Sequence, residues 1–278
     1  MTPEHAAAIA GPARESAAHA ILRPLDTSIL TRGRVVSIGL GGIGLFLNRT
    51  VAVFFAGLCQ AMNGDGRIDM LLCDGDAFAL ENAYRMDIPN FGNKAAVLAE
   101  ELLERFDSPG LNIRWLGEYV TTDNVERIIQ NGDCVLLACD NHATRQLVNR
   151  RCSGGQLTDV VLISGGNDGV EEGQRGTYGN VQVYVRAGGR DITAPLDRYH
   201  PEIAAPADKS PGEMSCVEAA AAGVPQLVFT NLAMASAMCN ALLRLLMPHE
   251  DEPLYDEVSL DIFDATCLPH WFSPAGPR

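Results

Sequence analysis

Four glycines in the run Gly39-Leu40-Gly41-Gly42-Ile43-Gly44 separate a short β-branched stretch from a long apolar one. Glycine lets a backbone approach a phosphate closely, and a helix starting there offers unpaired N–H groups and the positive end of its dipole. The spacing satisfies G-x-G-x-x-G, the dinucleotide fingerprint. A tight turn without a ligand would carry the same letters. The next apolar run closes on Asp74-Gly75-Asp76. A carboxylate at a strand end can take ribose hydroxyls, which favours adenosine without a 2′-phosphate. The same tripeptide is also good turn chemistry.

Asn82, Arg85 and Lys94 follow. A hydride-transferring enzyme has no need of this trio. A nucleoside triphosphate does, because Arg and Lys neutralise phosphates and Asn fixes geometry. Taken singly, each reads as surface polarity. Asp140-Asn141, with Arg145 one turn on, closes a further apolar run. A carboxylate there faces the ligand crevice of a parallel sheet and can hold Mg²⁺ together with phosphate oxygens. Either residue would also cap a helix beginning at His142. Cys216, in Met214-Ser215-Cys216-Val217-Glu218, sits where a loop meets a helix start. A thiol there has a lowered pKa and can act as a nucleophile. On composition alone, a half-buried cysteine is the better reading.

The whole chain sets bounds on this chemistry. It has 278 residues, 47% apolar and 20% charged, as a globular protein of one large domain would. Its formal net charge of −14 disfavours generic binding to nucleic acid. The eight cysteines include no C-x-x-C pair, so reduced cytosolic thiols are expected, without disulfides or a paired-cysteine zinc site. The six histidines form no ligand-spaced pair. The apolar run from Val51 to Met62 is short for a bilayer crossing, and Met1 to Leu22 lacks the form of a signal peptide.

Strand and helix patterns alternate. Strands are expected at 35–38, 68–73, 112–119, 134–139 and 160–164. Helices are expected at 45–62, 94–106, 123–130 and 142–152. That alternation implies an α/β fold, a mostly parallel sheet with helices on both faces. The period then shifts. Residues 180–186 alternate as an antiparallel strand does, 187–213 reads as a long loop, and 215–247 is helical with a break at 223–225. A last strand at 257–263 precedes a tail expected to be irregular after Cys267. Residues 1–30 read as a leader ahead of one domain at 31–278.

Taken in order, these pieces resemble the adenylation domain of the ThiF/MoeB and ubiquitin-activating-enzyme family. The resemblance runs from about Val35 to about Leu246. It rests on the glycine run, Asp74-x-Asp76, Asn82-x-x-Arg85 and Gly92-Asn93-Lys94-Ala95. It continues through Ala138-Cys139-Asp140-Asn141 with Arg145 and Asn149, and closes on Ser215-Cys216-Val217-Glu218-Ala219. It implies a Rossmann-like sheet with a C-terminal antiparallel extension and a crossover loop at 187–213. It implies ATP- and Mg²⁺-dependent adenylation of the C-terminus of a small ubiquitin-like or sulfur-carrier protein. In that family's pattern Gly39, Gly41, Gly42 and Gly44 cradle the nucleotide, and Asp74, with Asp76 beside it, holds the ribose. Asn82, Arg85 and Lys94 meet the phosphates, Asp140 carries Mg²⁺ with Asn141 beside it, and Cys216 takes the acyl group. A homodimer is implied, with Arg14 or Arg23 reaching the neighbour's site, and a conjugating enzyme is a further expected partner.

The departures carry information too. The two C-x-x-C zinc pairs of the biosynthetic members are absent, and the Gly92-to-Lys94 spacing is one shorter than the usual G-x-x-K. A compact zinc-less member resembles those of bacterial ubiquitin-like conjugation operons, some tied to antiviral defence. The rival classes are a nicotinamide-dependent oxidoreductase and a non-catalytic binding module.

Overall fold

The computed structural model describes residues 25–62, 66–80, 82, 86–88, 90–211, 225–247, 253–273 and 276–277. Arg14, Arg23, Arg85 and Cys216 lie outside the described residues.

Val35–Ile38 (β1) is buried along its whole length, as a central parallel strand must be. It lies between Ile68–Cys73 (β2) and Cys134–Leu137 (β4), with Val35 level with both Met70 and Cys134. Leu111–Leu116 (β3) flanks β2 and Val160–Asn167 (β5) flanks β4, all parallel. The order β3-β2-β1-β4-β5 reverses direction at β1, which opens a crevice between the carboxyl ends of β1 and β4. Tyr178–Ala187 (β6), Glu257–Asp261 (β7) and Thr266–His270 (β8) extend the sheet antiparallel beyond β5. The fold class read from the sequence is the observed one.

Four long helices cover the sheet: Gly42–Ala61 (α1), Lys94–Arg105 (α2), His142–Ser153 (α3) and Val228–Leu246 (α4). Side chains alternate between the two faces along each strand. Val35, Met70, Leu72 and Leu136 point to a core shared with Leu47, Val51 and Phe55 of α1, Leu98 of α2 and Met238 of α4. Val36, Ile38, Val135 and Leu137 point the other way, to a smaller core with Val148 and Cys152 of α3.

Several boundaries shift, each for a reason. α1 begins at Gly42 rather than Leu45, because the glycines form its first turn as well as the loop before it. It is therefore longer than the apolar run at 51–62 suggested. α1 and α4 are both long and apolar enough to cross a membrane, but here they pack against each other and cover one face of the sheet. β3 and β4 stop at Leu116 and Leu137, which leaves 117–119 and 138–141 as loops at the crevice. The helix expected at 123–130 is a single turn at Val125–Ile128.

The segment 187–213 holds a strand at Arg190–Asp191 that pairs with β6, and helical turns at Leu196–Arg198 and Pro201–Ala204. The tail beyond Cys267 is not irregular. Thr266–His270 pairs with β7 as an edge strand, where Pro269 is tolerated. Its residues are mostly exposed, so no apolar alternation announced it. A hairpin of Val170–Glu171 and Gln174–Arg175 had no sequence signal either, and all four of its strand residues are exposed. Of the helix expected across 215–247, the described part is α4.

Candidate nucleotide site

A cleft of about 910 Å³ opens at the switch point between β1 and β4. The glycine loop, Asp74 and Asp76, Lys94, and Asp140 with Asn141 all line it. These residues come from four separate stretches of chain, and the ends of the parallel strands bring them together.

The four glycines do different work. Gly39 has φ +84°, and a Cβ there would lie 2.8 Å from the backbone nitrogen of Cys139. A Cβ on Gly44 would lie 2.0 Å from the Gly39 carbonyl oxygen, and one on Gly42 would meet the Asn231 side chain at 2.1 Å. The fold itself therefore demands Gly39 and Gly44, while at Gly42 the Asn231 side chain would have to move. Gly41 is different. A Cβ there would face the cleft, with only the end of Met86 within reach at 3.9 Å. Among the described residues no other atom stands within 4 Å of a Cβ there, so the space is open to close approach of a ligand.

Asp74 is buried. One carboxylate oxygen accepts from the Leu40 N–H at 2.6 Å and the other from the Asp76 N–H at 2.8 Å. It ties the glycine loop to β2. Burial pushes its carboxyl up, against the opposing pull of Lys94. Asp76 is 49% exposed at its side chain, accepts from Lys94 Nζ at 3.0 Å, and takes a hydrogen bond from the Tyr119 hydroxyl. Burial raises its pKa, but Lys94 and the Tyr119 bond outweigh that, and the net shift is downward. Asn93 caps α2 and also donates to the carbonyls of Asp74 and Asp76, which fixes Lys94 beside them. Among the described residues lining the cleft, Lys94 is the one cation, against Asp74, Asp76, Glu118 and Asp140.

Asp140 is exposed at the rim. Asn141 is the N-cap of α3: its side chain accepts from the Thr144 N–H at 2.8 Å. Its amide group donates to Asp208 and to the Lys209 carbonyl. Asp208 also accepts from the N–H groups of His142 and Ala143, at 2.7 and 2.9 Å. An acidic side chain from the crossover segment thus occupies the positive end of α3, directly beside the cleft.

Two other sequence candidates have local tasks. Arg145 donates to the carbonyls of Cys139 and Gly165, and the Asn149 side-chain oxygen accepts from the Leu196 N–H. Asn82 is buried and accepts from the Ala79 N–H within its own turn, and it is not among the cleft-lining residues. Two cleft thiols are held protonated: burial pushes Cys73 up to about 12 and Cys139 up to about 11.

Sequence reading missed Tyr119, Glu118, Asn167 and Asp208. The first two lie just past a parallel strand, at the crevice position already used to select Asp74 and Asp140. Asp208 carries no local signal, because its partners lie more than sixty residues away.

The fold and cleft define a Rossmann-like nucleotide-binding protein. The ThiF family model matches residues 14–267, and the chain belongs to that family. It is 29% identical over 126 residues to the heterocyst protein HesA of Trichormus variabilis (strain ATCC 29413 / PCC 7937), covering 44% of this chain and 43% of that protein. To the protein HesA of Leptolyngbya boryana it is 28% identical over 117 residues, covering 41% and 38%. The matched stretch thus spans about two-fifths of each curated relative.

Among solved structures, E. coli MccB with MccA-N7isoASN superposes with a TM-score of 0.58 at 15% identity, over 87% of this chain and 64% of that one. E. coli MccB with ATP gives 0.59 at 16% identity, over 89% and 67%. PaaA gives 0.56 at 14% identity, over 87% and 64%. These likenesses establish the shared fold.

Proposed function

We propose that the chain activates a carboxylate as its acyl adenylate at the expense of ATP. The observation that carries this reading is that Gly41, at the start of α1 with open space before it, lines one cleft together with Lys94 and Asp140. The relatives support it: MccB has been solved with ATP and, as a microcin C7 biosynthetic enzyme, in complex with N-formylated MccA.

In this reading a carboxylate oxygen of the partner attacks the α-phosphorus. The bond from that phosphorus to the α,β-bridging oxygen breaks, and pyrophosphate leaves. Positioning and charge neutralisation govern such a step. The N–H groups around Gly41 receive the phosphates, Lys94 meets their charge, and Arg85 joins it by sequence position. Asp76 holds the ribose, being half-exposed at the cleft where Asp74 is buried. The carboxylate-rich lining suits a hard cation held by Asp140 with Asn141 beside it, and bound Mg²⁺ would neutralise phosphate charge there. An oxidoreductase reading leaves the phosphate-directed residues without a task.

The finer reading stays with the small protein partner: a ubiquitin-like or sulfur-carrier protein adenylated at its C-terminus. Cys216 then receives the acyl group as a thioester with release of AMP, and a conjugating enzyme accepts it. A cytoplasmic homodimer, with Arg14 or Arg23 reaching across, and a place in a bacterial conjugation operon tied to antiviral defence complete this proposal.

The test mixes the chain with Mg-ATP and a candidate small protein, followed by intact mass spectrometry without reductant. A partner–AMP species is expected, together with a thiol-sensitive adduct that Cys216→Ala removes while AMP transfer persists. ATP binding without AMP transfer to any carboxylate partner would leave a binding module instead.

A further inference from the structure

The first turns of α1 and α4 meet behind the glycine loop. Asn231, in the first turn of α4, is fully buried, and its carboxamide lies against Gly42, the first residue of α1. A Cβ on Gly42 would stand 2.1 Å from its Nδ2 and 3.1 Å from its Oδ1. Further along the two helices, Met234, Met238 and Leu242 of α4 join Val51 and Phe55 of α1 in one apolar core. A leucine would suit that seam. Asn231 instead places an amide there, and neither its Nδ2 nor its Oδ1 has a hydrogen-bond partner among the described residues. Such a group has given up its bonds to water and gained none in return. A buried amide left in this way is rare and asks for a partner in another state of the protein.

The first turn of α1 has the complementary need. The opening N–H groups of any helix lack an intrahelical acceptor. In α1 the N-cap is Gly41, which has no side chain to answer them. Gly41 and Gly42 both line the nucleotide cleft, so these are the N–H groups that phosphates would meet. Thr230, beside Asn231, donates to the Gly176 carbonyl at 2.7 Å and anchors the start of α4. An uncapped turn that faces the cleft is thus backed by an unanswered amide on a fixed support.

We propose that Asn231 positions the glycine loop for the phosphates. When they occupy the cleft, its carboxamide hydrogen-bonds to the backbone of the first turn of α1 and holds that turn's N–H groups toward them. Asn231 is not among the cleft-lining residues, so it acts through the backbone around Gly42 and touches no ligand itself. The assignment rests on the reading of the cleft as a nucleotide site.

The test separates affinity from stability in the full chain. Asn231→Leu replaces the amide by an apolar group of nearly equal size, and Asn231→Ala leaves a cavity. Without nucleotide, the melting temperature is expected to hold or rise in the first and to fall in the second. Mg-ATP affinity, by isothermal titration calorimetry, is expected to fall roughly tenfold in both, because both lose the same hydrogen bonds to α1. At saturating Mg-ATP, hydrogen exchange across 40–46 should slow less in either variant than in the wild type. Affinity that follows stability, kept with Leu and lost only with Ala, marks a packing residue and overturns the proposal. Wild-type protection of 40–46 in saturated Asn231→Ala overturns it too, whether or not the Leu variant folds. Weakened Mg-ATP binding in both variants, with no acyl adenylate made by the wild type, keeps the Asn231 assignment and removes the acyl-adenylate reading. Adenylate formation with unaltered affinities does the reverse, and no Mg-ATP binding by the wild type removes both.

Discussion

The glycine run separates structure from function one residue at a time. Gly44→Ala drives a methyl group into the Gly39 carbonyl oxygen, where a Cβ would sit 2.0 Å away. It is expected to destabilise by about 2–3 kcal/mol or more, as core overpacking does. Gly39→Ala adds a strained left-handed backbone to a close contact with Cys139 and behaves similarly. Gly41→Ala meets open space among the described residues, so its stability cost should stay well below that of the other two, at about 1 kcal/mol or less. Its ATP affinity should nevertheless fall by roughly tenfold or more, because the methyl group stands where the phosphates approach. Urea denaturation beside ATP titration checks all three, and a Gly41→Ala protein that binds ATP normally would remove Gly41 from the site. At this scale the sequence was informative wherever a polar residue ended an apolar run, as Asp74 and Asp140 do. It could not say that three of the four glycines answer to packing, because Asn231 and Cys139 are distant in the chain.

At the scale of elements, two of the crossover segment's fastenings are carried by acidic side chains. Asp208 caps α3 beside the cleft, and His200 bridges Glu202 and Glu257 at 2.8 and 2.6 Å. Burial alone would lower the His200 pKa, but the hydrogen bonds to Glu257 and Glu202 outweigh it, and the net shift is above the ordinary 6.5. Burial would raise Glu257, but His200 outweighs that, and the net shift is below the ordinary 4.5. A raised histidine contributes stability that is full below 6.5 and lost as pH rises through its folded value. A depressed glutamate contributes above 4.5 and loses it as pH falls through its folded value. The fastening is therefore strongest between those limits and loosens toward alkaline pH. Hydrogen exchange across 196–204, corrected for intrinsic rates, should accelerate between about pH 6 and pH 8.5, and His200→Gln should abolish the difference. An unchanged profile in the variant would show that His200 does not hold the segment. The parallel strands were legible because burial on both faces leaves continuous apolar runs. The crossover segment read as a plain loop because its fastenings are long-range polar contacts with no period.

The whole molecule carries a formal charge of −14, and its cleft repeats that imbalance locally, with four carboxylates around Lys94. The same acidity that disfavours nucleic acid also opposes a bare triphosphate. Only a positive pocket or an accompanying cation can bring ATP in. Among the described residues Lys94 is the one cation lining the cleft, and much of its ammonium charge is already answered by Asp76 at 3.0 Å. Nucleotide binding should therefore depend steeply on divalent cation. Mg-ATP is expected to raise the melting temperature through binding linkage, by about 2–3 kcal/mol of added stability at a hundredfold excess over Kd. ATP with EDTA should give little or no shift. Asp140→Asn should weaken the Mg-ATP effect without affecting the fold, since Asp140 is exposed. Lys94→Met should weaken it too, and should also release Asp76 from its partner. If ATP with EDTA protects as well as Mg-ATP does, the cleft holds its nucleotide without a metal. The Asp140 assignment then falls, and the phosphate charge must be met by Lys94 together with Arg85.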